Sequence, residues 1–365
     1  MNWVRGHSLG SGTFATVDLA IHTQHSVNFP SLTAVKSTYL YNSYSLLNEK
    51  HILDRLGSSP FIVKCFGHDQ TLENGVNFYN IFLEYAAGGT LSDQLKNHGG
   101  KFPETLVRRY TRSIVKGLKH IHENGFVHCD VKLQNILVFD NDNVKISDFG
   151  LSKKKGLKQG EKWELRGTPM FMSPESVNDN VYESPADIWA LGCTVMEMVT
   201  GEPAWNMSDN ENIWLLLVRI GIGEELPLIP DELSDEGKDF LEKCFVKDPL
   251  KRWSAEMLLK HPFIFEDDET ISSLETDVSN NERVLLEKEL LDKSLSLSPS
   301  PTTQFDFPQW ISSSVTTVST MPPNLNESKF KHGFASPEER LRLLVTEQRP
   351  LDWSESDEWH FVRSN

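Results

Sequence analysis

His128-Cys129-Asp130-Val131-Lys132-Leu133-Gln134-Asn135, followed by Asp148-Phe149-Gly150, is the stretch whose reading decides the fold. Between the two clusters lie the apolar runs Ile136–Phe139 and Val144–Ile146, separated by Asn141-Asp142-Asn143. Short apolar runs flanking an Asn/Asp turn read as strand, turn and strand. Such a hairpin folds the second acid back beside the first, so a single cleft receives two carboxylates, an amide and a lysine. Asp130 is then a candidate base and Lys132 a cation that neutralises a transferring group. Asn135 and Asp148 are oxygen donors suited to a hard divalent ion.

Upstream, Val4–Leu9 and Thr16–Ala20 read as a hairpin around Leu9-Gly10-Ser11-Gly12-Thr13-Phe14-Ala15-Thr16-Val17. Gly10 and Gly12 at its tip would leave backbone N–H groups open to a phosphate, although such a turn is more often only a turn. A strand follows instead of a helix, which disfavours a dinucleotide fold. Lys36 ends the strand Leu32–Ser37, in Ala34-Val35-Lys36. Glu49 lies in an amphipathic helix, Leu46–Leu56, with apolar residues at 46, 47, 52, 53 and 56. A Lys36–Glu49 pair would hold an ammonium against phosphates; the plainer reading is a solvated strand lysine and a surface helix charge. Phe61–Phe66 and Phe78–Tyr85 read as further strands, giving a small, mainly antiparallel lobe with one helix.

Helices dominate from Leu91 onward. Thr105–Asn124 carries one apolar face, and Asp187–Thr200 is apolar nearly all round, which predicts a buried central helix. Ala255–Lys260 closes the domain near 265. The fold class expected is α+β and bilobal, with a small β lobe and a larger α lobe over 3–265. Residues 266–365 change character: 19 acidic and 9 basic residues give a net charge of −10, out of −16 for the whole chain. Ser294–Met321 is rich in Ser, Thr and Pro, a composition that cannot build a core, so this tail is expected to be mostly disordered. Two short helices are expected within it, Val284–Leu291 and one begun by Ser336-Pro337-Glu338-Glu339.

The acidic balance argues against nucleic acid or an anionic membrane as a partner. Cys65, Cys129, Cys193 and Cys244 are widely spaced with no C-x-x-C pair, which fits free thiols in a reducing compartment. No apolar run is long enough to span a bilayer, and the first residues lack a signal core. Cytosol, nucleus or both are the expected locations.

Taken together and in order, these motifs resemble the protein-kinase signature set over residues 3–265. The resemblance implies ATP and Mg²⁺, with Asp130 accepting the substrate hydroxyl proton, Lys132 and Lys36 stabilising phosphate, and Asn135 and Asp148 binding the metal. It assigns nucleotide contacts to Leu9, Gly10, Ser11, Gly12, Val17, Ala34, Lys36, Glu49 and Leu137. Leu83 would stand behind the adenine, and backbone groups of Glu84 and Ala86 would face its edge. Lysine two residues after the base is the serine/threonine form, and Gly167-Thr168-Pro169 is similar to that group's substrate-facing loop, with Thr168 bridging Asp130 and Lys132. Glu175, in Ser173-Pro174-Glu175, is expected to pair with Arg252, and Asp187 and Trp189 to tether the catalytic loop.

Gly167–Val177, Trp3-Val4-Arg5-Gly6, Ser184–Cys193 and the tail segments Phe305–Trp310 and Ser336–Arg340 resemble plant MEKK-like mitogen-activated protein kinase kinase kinases. MAP kinase kinases are the substrates this implies. Two departures matter. Ala15 replaces the usual third glycine. Cys129 replaces the arginine that would pair with a phosphorylated loop, and a thiol makes no such charged contact. Leu151–Arg166 holds only Ser152 as a hydroxyl, beside five lysines, so activity is expected without phosphorylation there. With nothing ahead of the domain, regulation is expected from the tail, partners or abundance. Ser298, Ser300 and Ser336, each before proline, are candidate sites for upstream or downstream kinases, or ordinary Ser-Pro pairs. Trp353, Trp359 and Phe361 could dock on a partner or fold back. The rival readings are a pseudokinase scaffold and a kinase outside the MAP kinase cascade.

Overall fold

The computed structural model describes residues 3–12, 15–23, 30–157, 165–207 and 212–265. The tail from 266 onward, with its two expected helices, its Ser-Pro pairs and its aromatic motifs, lies outside them.

The small lobe begins with β1 (Trp3–Ser11), β2 (Thr16–His22), β3 (Leu32–Tyr39) and helix α1 (Tyr44–Leu56), and ends with β4 (Cys65–Glu73) and β5 (Val76–Leu83). The strands form one antiparallel sheet in the order β1-β2-β3-β5-β4. Register places Val17 and Ile81 on either side of Lys36. Leu46, Ile52, Leu53 and Leu56 bury the inner face of α1, and the wholly buried Glu49 lies among them. Its position therefore needs a cationic partner.

The strand expected at Phe61–Phe66 is displaced. Ile62 and Val63 are buried, yet their stretch runs beneath the larger lobe, where Val63 N donates to Ile146 O and Ile146 N to Phe61 O. The apolar run signalled contact with the other lobe, and the polar stretch after Cys65 forms the strand, half-exposed along its length.

The larger lobe contains α2 (Leu91–Asn97), α3 (Glu104–Glu123), β6 (Phe126–Val127), β7 (Ile136–Phe139), β8 (Asn143–Ile146), β9 (Lys153–Lys154), α4 (Pro174–Asp179), α5 (Ser184–Thr200), α6 (Ile213–Gly221), α7 (Asp235–Cys244) and α8 (Ala255–Leu258). β7 pairs with β8 and β6 with β9. Helix α5 is buried at nearly every position, as its all-round apolar sequence requires, and ends at Gly201 in the left-handed conformation. Among the described residues no helix is long and apolar enough to cross a membrane, and all four cysteines are free.

Candidate active site

The two lobes enclose a cleft of about 160 Å³. Leu9, Gly10, Val17, Ala34, Lys36, Glu49, Leu83, Glu84, Ala86, Leu137, Asn135 and Asp148 all line it. Ser11 and Gly12 do not. They sit at the β1–β2 tip, where Gly12 N donates to Ala15 O. Tyr85, Ala87, Gly89, Thr90, Gln134 and Ser147 also line the cleft. Of these, Thr90 carried a sequence signal, because Thr90 and Asp93 form the capping box of α2. At the linker between lobes, Glu84 N donates to Lys64 O, while the Glu84 carboxylate takes Lys145 Nζ at 2.7 Å. Its carbonyl and the Ala86 N–H have no protein partner among the described residues.

Lys36 Nζ donates to Glu49 Oε2 and to Asp148 Oδ1, each at 2.8 Å. Burial opposes the ammonium charge, but the two carboxylates outweigh it and hold Lys36 above its usual range. Burial likewise opposes the Asp148 carboxylate, and Lys36 holds its pKa low regardless. Asp148 sits at φ 62, a costly conformation for a residue with a side chain. Its neighbour Phe149 is fully buried, edge-on to His128 at 5.0 Å. Asn48 of α1 fixes this turn further, its amide donating to the carbonyls of Gly150 at 3.1 Å and Ser152 at 2.9 Å.

On the catalytic loop Asp130 is 8% exposed. Thr168 donates to Asp130 Oδ1 from its hydroxyl at 2.7 Å and from its backbone N at 3.0 Å. Asn135 Nδ2 donates to Asp130 Oδ2 at 2.9 Å, and Lys132 Nζ to Thr168 Oγ1 at 2.7 Å. Asp130 and Thr168 border a second, smaller cavity of about 20 Å³ with Cys129 and Arg166, and neither Asp130 nor Lys132 is among the residues that line the main cleft. Gly167, at φ +99, lets the Thr168 loop come this close, since a Cβ there would stand 2.3 Å from Cys129 O.

Cys129, at φ 69, is held from behind by Asp187, which accepts His128 N at 2.8 Å, Cys129 N at 2.9 Å and His122 Nε2 at 2.8 Å. Trp189, expected to share that task, packs instead against Phe245 and beneath the Arg252 guanidinium. Arg252 in turn grips Glu175 through both carboxylate oxygens, at 2.6 and 3.0 Å. Burial pushes the Cys129 thiol well above its ordinary range.

The donor set fits a magnesium ion. Asn135 Oδ1 is buried without a partner, as is Gln134 Oε1, and the Asp148 carboxylate stands in the same cleft. A carboxylate and an amide oxygen are hard ligands of the kind Mg²⁺ takes beside phosphate oxygens. Among the described residues no group of three or more His, Cys, Asp or Glu side chains is placed to hold a metal ion.

Residues 3–264 match the family model described as protein kinase domain. The chain is similar to "Mitogen-activated protein kinase kinase kinase 20" of Arabidopsis thaliana, with 48% identity over the full length of both chains. Two further Arabidopsis relatives are "Mitogen-activated protein kinase kinase kinase 17", 42% identical over 72% of this chain and 70% of its own, and "Mitogen-activated protein kinase kinase kinase 18", 41% identical over 76% and 82%.

Proposed function

The chain belongs to the protein kinase family, and within it to the mitogen-activated protein kinase kinase kinases; on that premise we propose that its substrates are MAP kinase kinases, phosphorylated on serine and threonine of their activation loops. It is an ATP-dependent serine/threonine protein kinase.

One observation supports the residue assignments: Asn135 donates to Asp130, Lys132 donates to the Thr168 hydroxyl that itself holds Asp130, and Lys36 donates to Asp148, with Lys36, Asn135 and Asp148 all lining the main cleft. Asp130 is the group that receives the proton of the incoming hydroxyl. Thr168 and Asn135 fix its carboxylate so that little reorganisation is needed at that moment. Lys132 neutralises charge on the transferring phosphoryl group, and Lys36, positioned by Glu49, steadies the phosphates behind it. Leu9, Val17, Ala34, Leu83 and Leu137 give the base an apolar slot, while the Glu84 carbonyl and the Ala86 N–H read its edge. Gly10, with Ser11 and Gly12 at the hairpin tip, covers the phosphates. Asn135 and Asp148 would hold Mg²⁺, which when bound offsets negative charge on the phosphate oxygens.

The catalytic domain in this reading is 3–265, with 266–365 as a regulatory tail whose Ser-Pro pairs receive proline-directed kinases. Its place is the cytosol, the nucleus or both, and the four free cysteines support that. Nucleic acid and membrane have no part in it. The activity needs no phosphate within 151–166: Ser152, the hydroxyl of that stretch, is 1% exposed and donates to His128 O at 2.9 Å.

The test is incubation with a panel of purified MAP kinase kinases and Mg-ATP, with site mapping by mass spectrometry. Phosphate is expected on activation-loop Ser and Thr, and none with Asp130→Asn. Labelling that persists in that variant would remove Asp130 from its role, and an unmodified panel beside a phosphorylated generic substrate would remove the cascade assignment.

A further inference from the structure

A kinase loop that is ordered by phosphorylation needs cations to receive the phosphate, and the arginine usual for that task is Cys129 in this chain. The segment between Asp148 and Thr168 is nevertheless tied down at both ends. At its start, β9 pairs with β6, and Lys155 N donates to Gly125 O at 2.8 Å. Glu183 stands at the N-cap position of α5 but makes no side-chain capping bond, and its carboxylate reaches across to this strand instead. Its Oε1 accepts Gly156 N at 2.9 Å and lies 3.6 Å from Lys153 Nζ. The Lys153 ammonium also donates to Leu157 O at 3.3 Å. A carboxylate therefore occupies the anionic position between a backbone N–H and a lysine.

At the other end, Arg166 places a guanidinium on the cavity that Cys129 lines. Its Nη1 donates to Leu151 O at 2.9 Å, and its backbone N donates to the Tyr182 hydroxyl at 2.7 Å. Arg166 thus joins the end of the segment to its beginning, and Tyr182 and Glu183 are neighbours in sequence. Both ties lead to the start of α5, whose Asp187 holds the catalytic loop.

We propose that Glu183 and Arg166 form a built-in clasp that keeps residues 151–157 and 165–168 in the working arrangement without phosphate. They are positioning residues, acting on Asp130 through Thr168 and the α5 start. The inference rests on the reading that activity needs no phosphate in this segment, and adds which groups replace it. The carboxylate supplies the negative charge that a phosphate would bring, and the cation missing at 129 comes from within the segment. The polarity is fixed by sequence, so phosphorylation of the segment is not what switches the enzyme.

The experiment uses full-length chain made in bacteria with a co-expressed phosphatase and shown by intact mass to carry no phosphate. Wild type, Glu183→Gln and Arg166→Met are compared by steady-state kinetics on a generic protein substrate, by thermal melting, and by the rate of tryptic cleavage at the lysines of 153–162. Wild type is expected to turn over. Each variant is expected to lose kcat on the order of 10–100-fold, as misplaced catalytic groups do, with the KM for ATP unchanged and faster tryptic cutting. Melting temperatures should stay within about 2 °C of wild type, a shift that corresponds to only a small stability change. Wild-type kcat and cleavage in both variants would overturn the clasp while leaving phosphate-independence standing. A kcat loss that merely follows a lowered melting temperature or a raised KM for ATP would overturn it too. An inert wild type, revived by a kinase that modifies Ser152, would overturn the underlying reading instead.

Discussion

Two buried charge clusters within the catalytic domain are built on opposite terms. Around Arg252 every donor is used: Nε takes Val246 O, Nη1 takes Glu175 Oε1 and Pro185 O, and Nη2 takes Glu175 Oε2 and Lys247 O. The guanidinium also lies against the Trp189 ring. In the cleft, by contrast, two carboxylates share one lysine, and Asn135 Oδ1 and Gln134 Oε1 are buried with no partner. A buried polar atom without a partner costs on the order of 1–3 kcal/mol, and here two of them stand on one cleft wall together with Asp148. The first cluster holds the fold together. The second is organised for a ligand that brings both phosphate and metal.

That contrast can be broken by removing one member from each side. Arg252→Met should cost most, about 3–5 kcal/mol, because Glu175 is left buried and unpaired. Urea denaturation would show it as a lowered midpoint, and a loss below about 1 kcal/mol would deny the pair its structural role. Asp148→Ala should do the reverse. Its turnover should fall on the order of 10²–10³-fold, as when one preorganised charge is removed, while urea stability stays at wild type or rises. A parallel loss of stability would mean that the cleft cluster is scaffold after all.

The smallest effect sharpens the comparison with a third kind of charge. Glu197 of α5 has a buried, unpartnered Oε2, and burial pushes its carboxyl up to about 7 from an ordinary 4.5, against the pull of Lys132 and Lys96. Because the folded-state pKa is raised, the folded chain holds a proton that the unfolded chain has released. That stabilising contribution is complete below about 4.5 and is lost as pH climbs to 7. Glu197→Gln keeps the shape without the titration. It should match wild type near pH 5 and exceed it by roughly 1–3 kcal/mol at pH 8, read as a widening gap between melting temperatures. An unchanged gap would show that the group titrates normally.

Much of the site was legible in the sequence because catalysis constrains residue types at fixed offsets. Asp130, Lys132 and Asn135 are spaced within one loop, and the β7–β8 hairpin that returns Asp148 to them is short and strongly patterned. The Lys36–Glu49 and Glu175–Arg252 pairs were readable because each joins opposite charges at positions that a motif marks. Asn48, Arg166 and Glu183 gave no such signal. Their principal partners are backbone groups of Gly150, Leu151, Ser152 and Gly156, and a carbonyl or N–H is the same whatever residue carries it. The displacement of β4 has a related cause, since an apolar run states that it is buried and not against which lobe.

The sequence by itself determined the succession of a β-rich lobe and a helical lobe, four of the eight helices (α1, α3, α5 and α8) and the family to which the chain belongs. These depend on local periodicity and on which side chains can perform the chemistry. Tertiary structure alone decided that Ser152 is sealed beneath His128, that Trp189 supports Arg252, and that Glu183 and Arg166 meet the segment near Cys129. Those are facts of distance between residues far apart in the chain, and they exist only once the core of the larger lobe has fixed α5 against the catalytic loop.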